Sequence, residues 1–246
     1  YPNFRRSALA VSAAPWAFAT GLMQYLEAYP HGCTEQITSQ TFPAVLLSGR
    51  PELLKEMARG RTADQGPLPE ARKTLERYLV QLRARQTADG GFSLWPGAGA
   101  DPFATLYAVH LLVEARDHKL PVPQDLLQRA NTYLQGWLGS GDSSLDGWRQ
   151  RTQAAYLLTR QGIVVPAALA NLRETWRNQQ SKQTAGWSDD LGAVYLAASY
   201  QLVKQEQVAN ELLNPVWADL LARSEKNQRR NVWGRYYDPL VHDSMM

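Results

Sequence analysis

Leu, Ala, Tyr and Trp recur along these 246 residues at the three- and four-residue spacing of a helix face. Nowhere does strict apolar/polar alternation last long enough to build a strand. That periodicity admits an all-α fold, with predicted helices near 16–28, 35–47, 69–86, 102–117, 124–138, 149–160, 166–179, 190–204 and 206–223, and another opening near Asp238. The connectors repeat a phrase of glycine followed by an aromatic: Gly90-Gly91-Phe92, Gly147-Trp148 and Gly186-Trp187. Each phrase precedes an alanine-bearing, aliphatic helix, and that helix precedes a more amphipathic one. A helix packed on several sides must be apolar nearly all round, whereas one on the outside needs a single apolar stripe. Alternation of the two types predicts helix hairpins arranged as a double ring, an α/α toroid. An open solenoid is the alternative, but the glycines at 91, 147 and 186 are too unevenly spaced for its uniform repeats.

Composition excludes several classes. Twenty-six basic against 23 acidic residues give a net charge of +3, and the basic ones are spread thinly, so no nucleic-acid footprint is expected. The longest apolar runs are broken by Ser, Pro or Thr short of the roughly 18 residues a membrane span needs, so no direct insertion into a bilayer is expected. A single cysteine, Cys33, removes any disulfide framework and any cysteine-based zinc cluster, and the four histidines share no metal-ligand spacing. Neither a metal nor another cofactor is expected. The chain is read as one helical domain, 1–246, cut from a longer multidomain protein.

The chemistry concentrates in Tyr29-Pro30-His31-Gly32-Cys33-Thr34-Glu35-Gln36. Pro30 and Gly32 break one helix and Thr34 to Gln36 open the next, so Cys33 lies among unpaired backbone N–H groups at the positive end of a helix dipole, which favours negative charge on sulfur. The first helical turn folds Gln36, three residues on, back toward Cys33. Attack of the sulfur on the Gln36 carboxamide carbon, with loss of ammonia, would give an internal thioester, an activated acyl group open to capture by an amine or hydroxyl.

Gly32-Cys33-Thr34-Glu35-Gln36 resembles the Gly-Cys-X-Glu-Gln motif of the α2-macroglobulin and complement family, and Tyr29-Pro30 is similar to its bacterial branch. The resemblance covers essentially the whole chain. It implies a thioester-containing toroid domain, not an enzyme, that captures target proteases covalently. It also implies docking against other domains of a parent chain in the periplasm, the parent held to the inner membrane as a lipoprotein. The cross-link would join Cys33 and Gln36, flanked by Tyr29, Gly32, Thr34 and Glu35. Two departures stand out. Thr34 puts a polar β-branched group where a site that excludes water would favour an apolar one. In relatives that prefer hydroxyl acceptors a mid-domain histidine acts on the thioester, but 145–151 contains none, so amines are the expected acceptors.

Other readings were weighed on the same residues. A toroid enzyme acting on carbohydrate or isoprenoid would use Asp146, Asp189 and Asp190 as acids, although carboxylates near a helix start are routinely caps. A structural module would keep Cys33 and Gln36 as vestiges. His31 is placed to tune Cys33 or to be a bystander, His110 to be a core residue, and His118 and His242 to sit at helix ends. The tryptophans are expected to wedge the core.

Overall fold

The computed structural model describes residues 22–23, 25–26, 29–59, 70–139, 142, 144–182, 184 and 186–225. Among them the fold is all-α, with nine helices: α1 Thr34–Leu47, α2 Pro51–Arg59, α3 Ala71–Arg83, α4 Pro102–Asp117, α5 Gln124–Trp137, α6 Leu145–Arg160, α7 Pro166–Ser181, α8 Leu191–Leu202 and α9 Glu206–Glu225. Leu22, Met23, Tyr25 and Leu26 are helical within the stretch expected at 16–28. The rest of that stretch, the helix expected near Asp238, and His242 lie outside the described residues.

The chain falls into two compact units. One holds the described residues up to Thr87 together with Phe92–Leu126; the other holds Ala88–Gly91 and the described residues from Leu127 onward. In the first, α1 packs against α2, α3 and α4; in the second, α8 packs against α6, α7 and α9.

The two helix types expected from the sequence are both present. Helix α4 buries Ala104, Thr105, Leu106, Ala108, Val109, Leu111, Leu112, Val113 and Ala115, which leaves no polar face, and α8 is buried nearly all round from Leu191 to Tyr200. Helix α3 buries only Leu75, Tyr78 and Leu82, and α7 only Leu169, Leu172 and Trp176, each set a single stripe at helical spacing.

The glycine-aromatic phrases explain how closely helices approach. A Cβ on Gly192 would lie 2.4 Å from the Trp148 ring, so α8 meets α6 only because position 192 has no side chain. Trp148 donates its indole N–H to the Leu172 carbonyl (3.0 Å), and Trp176 donates to the Trp187 carbonyl (3.1 Å). With ring centroids of Trp148 and Trp187 5.1 Å apart and all three rings buried, these residues are the core wedges expected, whereas Trp95 and Trp217 are exposed and depart from that expectation.

Two expectations need correction. Helix α2 was not foreseen, although Pro51 at its first position and Glu52 in its first turn are ordinary start signals. Gly147-Trp148 is not a connector. It lies in the first turn of α6, which starts at Leu145 because the Ser144 side chain caps it, accepting from Gly147 N (3.0 Å).

Candidate functional site

Helix α1 begins at Thr34, with Cys33 as its extended N-cap residue (φ −66°, ψ 166°). Cys33 and Gln36 close a capping box, with Gln36 folded back so that its Oε1 accepts from Cys33 N–H at 3.0 Å. The two residues expected to form the cross-link are thus brought together by the first turn alone. A backbone donor on the carboxamide oxygen stabilises the negative charge that develops there when a nucleophile attacks the carbon.

Glu35 completes the immediate surroundings. The Cys33 thiol is directed at Glu35 Oε2 (3.9 Å), while Glu35 Oε1 accepts from Ser39 Oγ (3.1 Å) one turn further on. Ser39 Oγ also shares a hydrogen bond with Tyr107 Oη of α4 (3.1 Å). Burial pushes the Tyr107 phenol above its usual range, with the Ser39 bond acting the other way. Cys33, Glu35, Gln36 and Tyr29 are all half-buried, so the reacting atoms stand at the edge of the core. A pocket of about 220 Å³ opens on this edge, lined by Tyr25, Leu26, Tyr29, Glu35, Gln36, Ser39 and Gln40. Gln40 Nε2 donates to the Tyr29 carbonyl (3.3 Å), holding that wall.

The segment before the helix is fastened from two sides. Arg85, just past the end of α3 and only 7% exposed, donates through one guanidinium nitrogen to the Gly32 carbonyl (2.7 Å) and through the other to the Gln81 carbonyl (2.8 Å). Burial pulls the Arg85 guanidinium below the ordinary arginine range, and the nearby Cys33 and Tyr78 act in the opposite sense. On the other side, the loop after Gly90-Gly91 supplies acceptors. Thr34 N–H donates to the Leu94 carbonyl (2.9 Å) and Thr34 Oγ1 to the Ser93 carbonyl (2.5 Å). This settles the question raised by Thr34: its side chain is fully buried, turned into the 93–94 loop with its hydroxyl satisfied.

Sequence reading missed Arg85, Ser39, Tyr107 and the carbonyls of Ser93 and Leu94. Only the loop carried a signal, in Gly90-Gly91. Gly90 has φ +94°, and a Cβ there would fall 2.3 Å from the Arg129 carbonyl oxygen.

The other candidates are placed plainly. His31 is exposed and packs edge-on against Tyr29, with ring centroids 5.5 Å apart. His110 pairs with Glu114 (3.3 Å) and meets the Phe42 ring edge-on, a satisfied residue of α4. His118 caps the C-terminus of α4. Two of the three acids of the enzyme reading converge on one guanidinium: Arg149 binds Asp190 through Nε (2.9 Å) and its second terminal nitrogen (2.7 Å), and Asp146 through the first (2.8 Å), while Asp189, beside Asp190 in sequence, is buried. Asp190 also caps α8 by accepting from Gly192 N (2.8 Å), so these carboxylates serve packing. Among the described residues no group of three metal-ligating side chains converges, and no helix is long and apolar enough to cross a membrane.

No family model matches the chain. It is 32% identical to alpha-2-macroglobulin of Rickettsia conorii over 98% of its own length, and 33% identical to the alpha-2-macroglobulin homolog of Yersinia pestis over 99%. It spans only 12% of either relative's length. Among solved structures, native alpha-2-macroglobulin of Escherichia coli, from domain MG7 to the C-terminus, matches 90% of the chain with a TM-score of 0.65 at 22% identity, the chain covering 32% of it. Alpha-2-macroglobulin of Salmonella reacted with methylamine matches 91% with a TM-score of 0.63 at 21% identity, the chain covering 15% of it. At those identities the solved structures bear on the fold alone. The sequence relatives, matched from end to end of the chain at about a third identity, decide the family: the chain belongs to the alpha-2-macroglobulins.

Proposed function

We propose that Cys33 Sγ and Gln36 Cδ are joined as an internal thioester, and that this bond captures an attacking protease through a lysine amine. The observation that carries the reading is the folded-back Gln36, whose carboxamide oxygen accepts from Cys33 N–H at 3.0 Å. That bond folds the electrophilic carbon back over the residue whose thiol would attack it. Formation replaces the S–H and C–N bonds by a C–S bond and releases ammonia. Capture replaces the C–S bond by an amide and returns the thiol. The product is a stable adduct, so this is inhibition by covalent trapping and not turnover.

Two neighbours support an amine acceptor and a protease trigger. The Salmonella protein reacted with methylamine, and the Escherichia coli protein was activated by trypsin and by porcine elastase. Neighbouring domains of the full-length protein would cover the half-buried site, since an activated acyl group left open to water hydrolyses.

Intact-mass measurement of the full-length protein tests the bond. A deficit of one ammonia is expected, along with one thiol released per methylamine added. After exposure to a protease, a band joining the two proteins should survive denaturant and reductant, and Cys33→Ala should abolish it. A full calculated mass with a titratable Cys33 and an unaltered Gln36 carboxamide would overturn the reading, as would a band that persists in Cys33→Ala.

A further inference from the structure

Glu35 has no assigned task, yet its two oxygens are deployed differently. Oε1 is held by Ser39, itself fixed by Tyr107 on α4, and Oε2 is left facing Cys33 Sγ at 3.9 Å. Glu35 and Gln36 also share the wall of the 220 Å³ pocket, so a nucleophile that reaches the Gln36 carbonyl carbon through that pocket arrives beside the carboxylate. Resting on the thioester reading above, we propose that Glu35 is the catalytic residue that carries the proton in both directions of the thioester chemistry.

In formation, Oε2 takes the proton from the Cys33 thiol as Sγ attacks Gln36 Cδ. The protonated carboxyl then gives that proton to the departing nitrogen as the C–N bond breaks, so ammonia leaves and the carboxylate is restored. In capture, a neutral amine attacks Cδ and acquires positive charge on its nitrogen. Oε2 takes a proton from that nitrogen as the C–S bond breaks and returns it to Sγ, leaving an amide and a thiol. Each direction begins and ends with the same carboxylate and needs no further reactant. Ser39 and Tyr107 act as positioning residues: Ser39 occupies Oε1 and Tyr107 holds Ser39, which leaves Oε2 as the oxygen that meets sulfur and incoming amine. The Glu35 carboxylate stands 3.9 Å from the Cys33 sulfur, close enough to exchange a proton with it.

The test uses Glu35→Gln in the full-length protein, with Glu35→Asp beside it, and two small amines of similar size. Methylamine is more basic than a thiolate, so its adduct expels sulfur before it reverts and gains little from a base. 2,2,2-Trifluoroethylamine is weakly basic and leaves readily, so its adduct reverts unless a base takes the proton from nitrogen first. Glu35→Gln is expected to slow thiol release by trifluoroethylamine roughly a hundredfold, in the range of general-base contributions. The slowing with methylamine should be less than about tenfold, so the rate ratio shifts at least about tenfold toward methylamine and Glu35→Asp restores part of it. If Glu35→Gln is purified without the ammonia deficit, its slow formation is followed by mass over time, and Glu35→Asp must recover it. Equal slowing of both amines, no slowing, or a folded Glu35→Asp that recovers nothing would overturn the proposal. A wild-type protein without the ammonia deficit would instead overturn the thioester itself, so the two failures are distinguishable.

Discussion

Replacing Arg85 by Met keeps the length and the apolar stem of the side chain and removes the fork that joins the Gly32 and Gln81 carbonyls. The Gln81 bond lies within one turn of the same segment, so its loss is local. The Gly32 bond is different, because it ties the segment before α1 to the end of α3, 53 positions away. A hydrogen bond to a charged group contributes about 1.5–3 kcal/mol. Met also ends the cost of burying a guanidinium that is 7% exposed, which offsets part of the global loss but none of the local fastening. At 1.4 kcal/mol per factor of ten, the open form of the Gly32-Cys33 segment should become roughly 10- to 150-fold more populated. Hydrogen exchange of the amides at 32–37 reads this directly, and on the thioester proposed above purified Arg85→Met should carry a larger fraction of free thiol, because water would reach that bond through the open form. Arg85→Lys should recover only part, since an ammonium cannot bridge two carbonyls as a planar fork does. Exchange at 32–37 within twofold of wild type, in a variant whose remaining helices exchange normally, would refute the reasoning.

Two further outcomes concern stability. Asp190→Asn leaves Arg149 buried without its full partner; breaking such a pair costs about 3–5 kcal/mol, which should lower the melting temperature by roughly 6–20 °C, and a shift under about 2 °C would show the pair dispensable. Burial lifts the Tyr78 phenol well above its usual range, and Tyr107 and Tyr200 are raised for the same first reason. The folded chain therefore keeps these phenols neutral where the unfolded chain ionises them, so their stabilisation is complete below about pH 10 and is lost as pH rises beyond it. Tyr78→Phe should cost about 1 kcal/mol at neutral pH through the lost Thr38 bond and should flatten the alkaline decline in urea unfolding; an unchanged slope would contradict the assignment.

How much of the site could be read in the sequence follows from the range of each interaction. Cys33 and Gln36 meet because one helical turn brings position i+3 back over position i, a relation that any window of four residues contains. The helix types were legible for a similar reason: whether an element shows one apolar stripe or none is written in its own composition, as α3 and α4 illustrate. Arg85 could not be found that way. Its value lies in two carbonyls, one of them 53 positions off, and an arginine near the end of an amphipathic helix reads as solvated. The connector phrase Gly147-Trp148 points to a start of α6 at 149, whereas the Ser144 cap outweighs the modest helix cost of a glycine in the first turn and starts it at Leu145.

Thr34 shows how local and distant causes combine. Taken alone it is a polar intruder in a motif that should keep water out. Its partners lie 59 and 60 positions away, and it joins Thr38 and Thr41 on the buried face of α1. Thr38 donates to the Thr34 carbonyl (2.6 Å) and shares a hydrogen bond with Tyr78 Oη (3.0 Å), while Thr41 donates to the Ile37 carbonyl (2.8 Å). Each hydroxyl is satisfied, Thr41 within its own helix, Thr38 there and against Tyr78, and Thr34 against the 93–94 loop, so a stripe that looks polar packs without an orphaned group. Slim side chains on that face let α3 and α4 close against α1. The same closure brings Tyr107 to Ser39, and through Ser39 fixes the carboxylate beside Cys33. The threonines therefore bear on Cys33 and Gln36 through packing, by setting how near the rest of the unit comes.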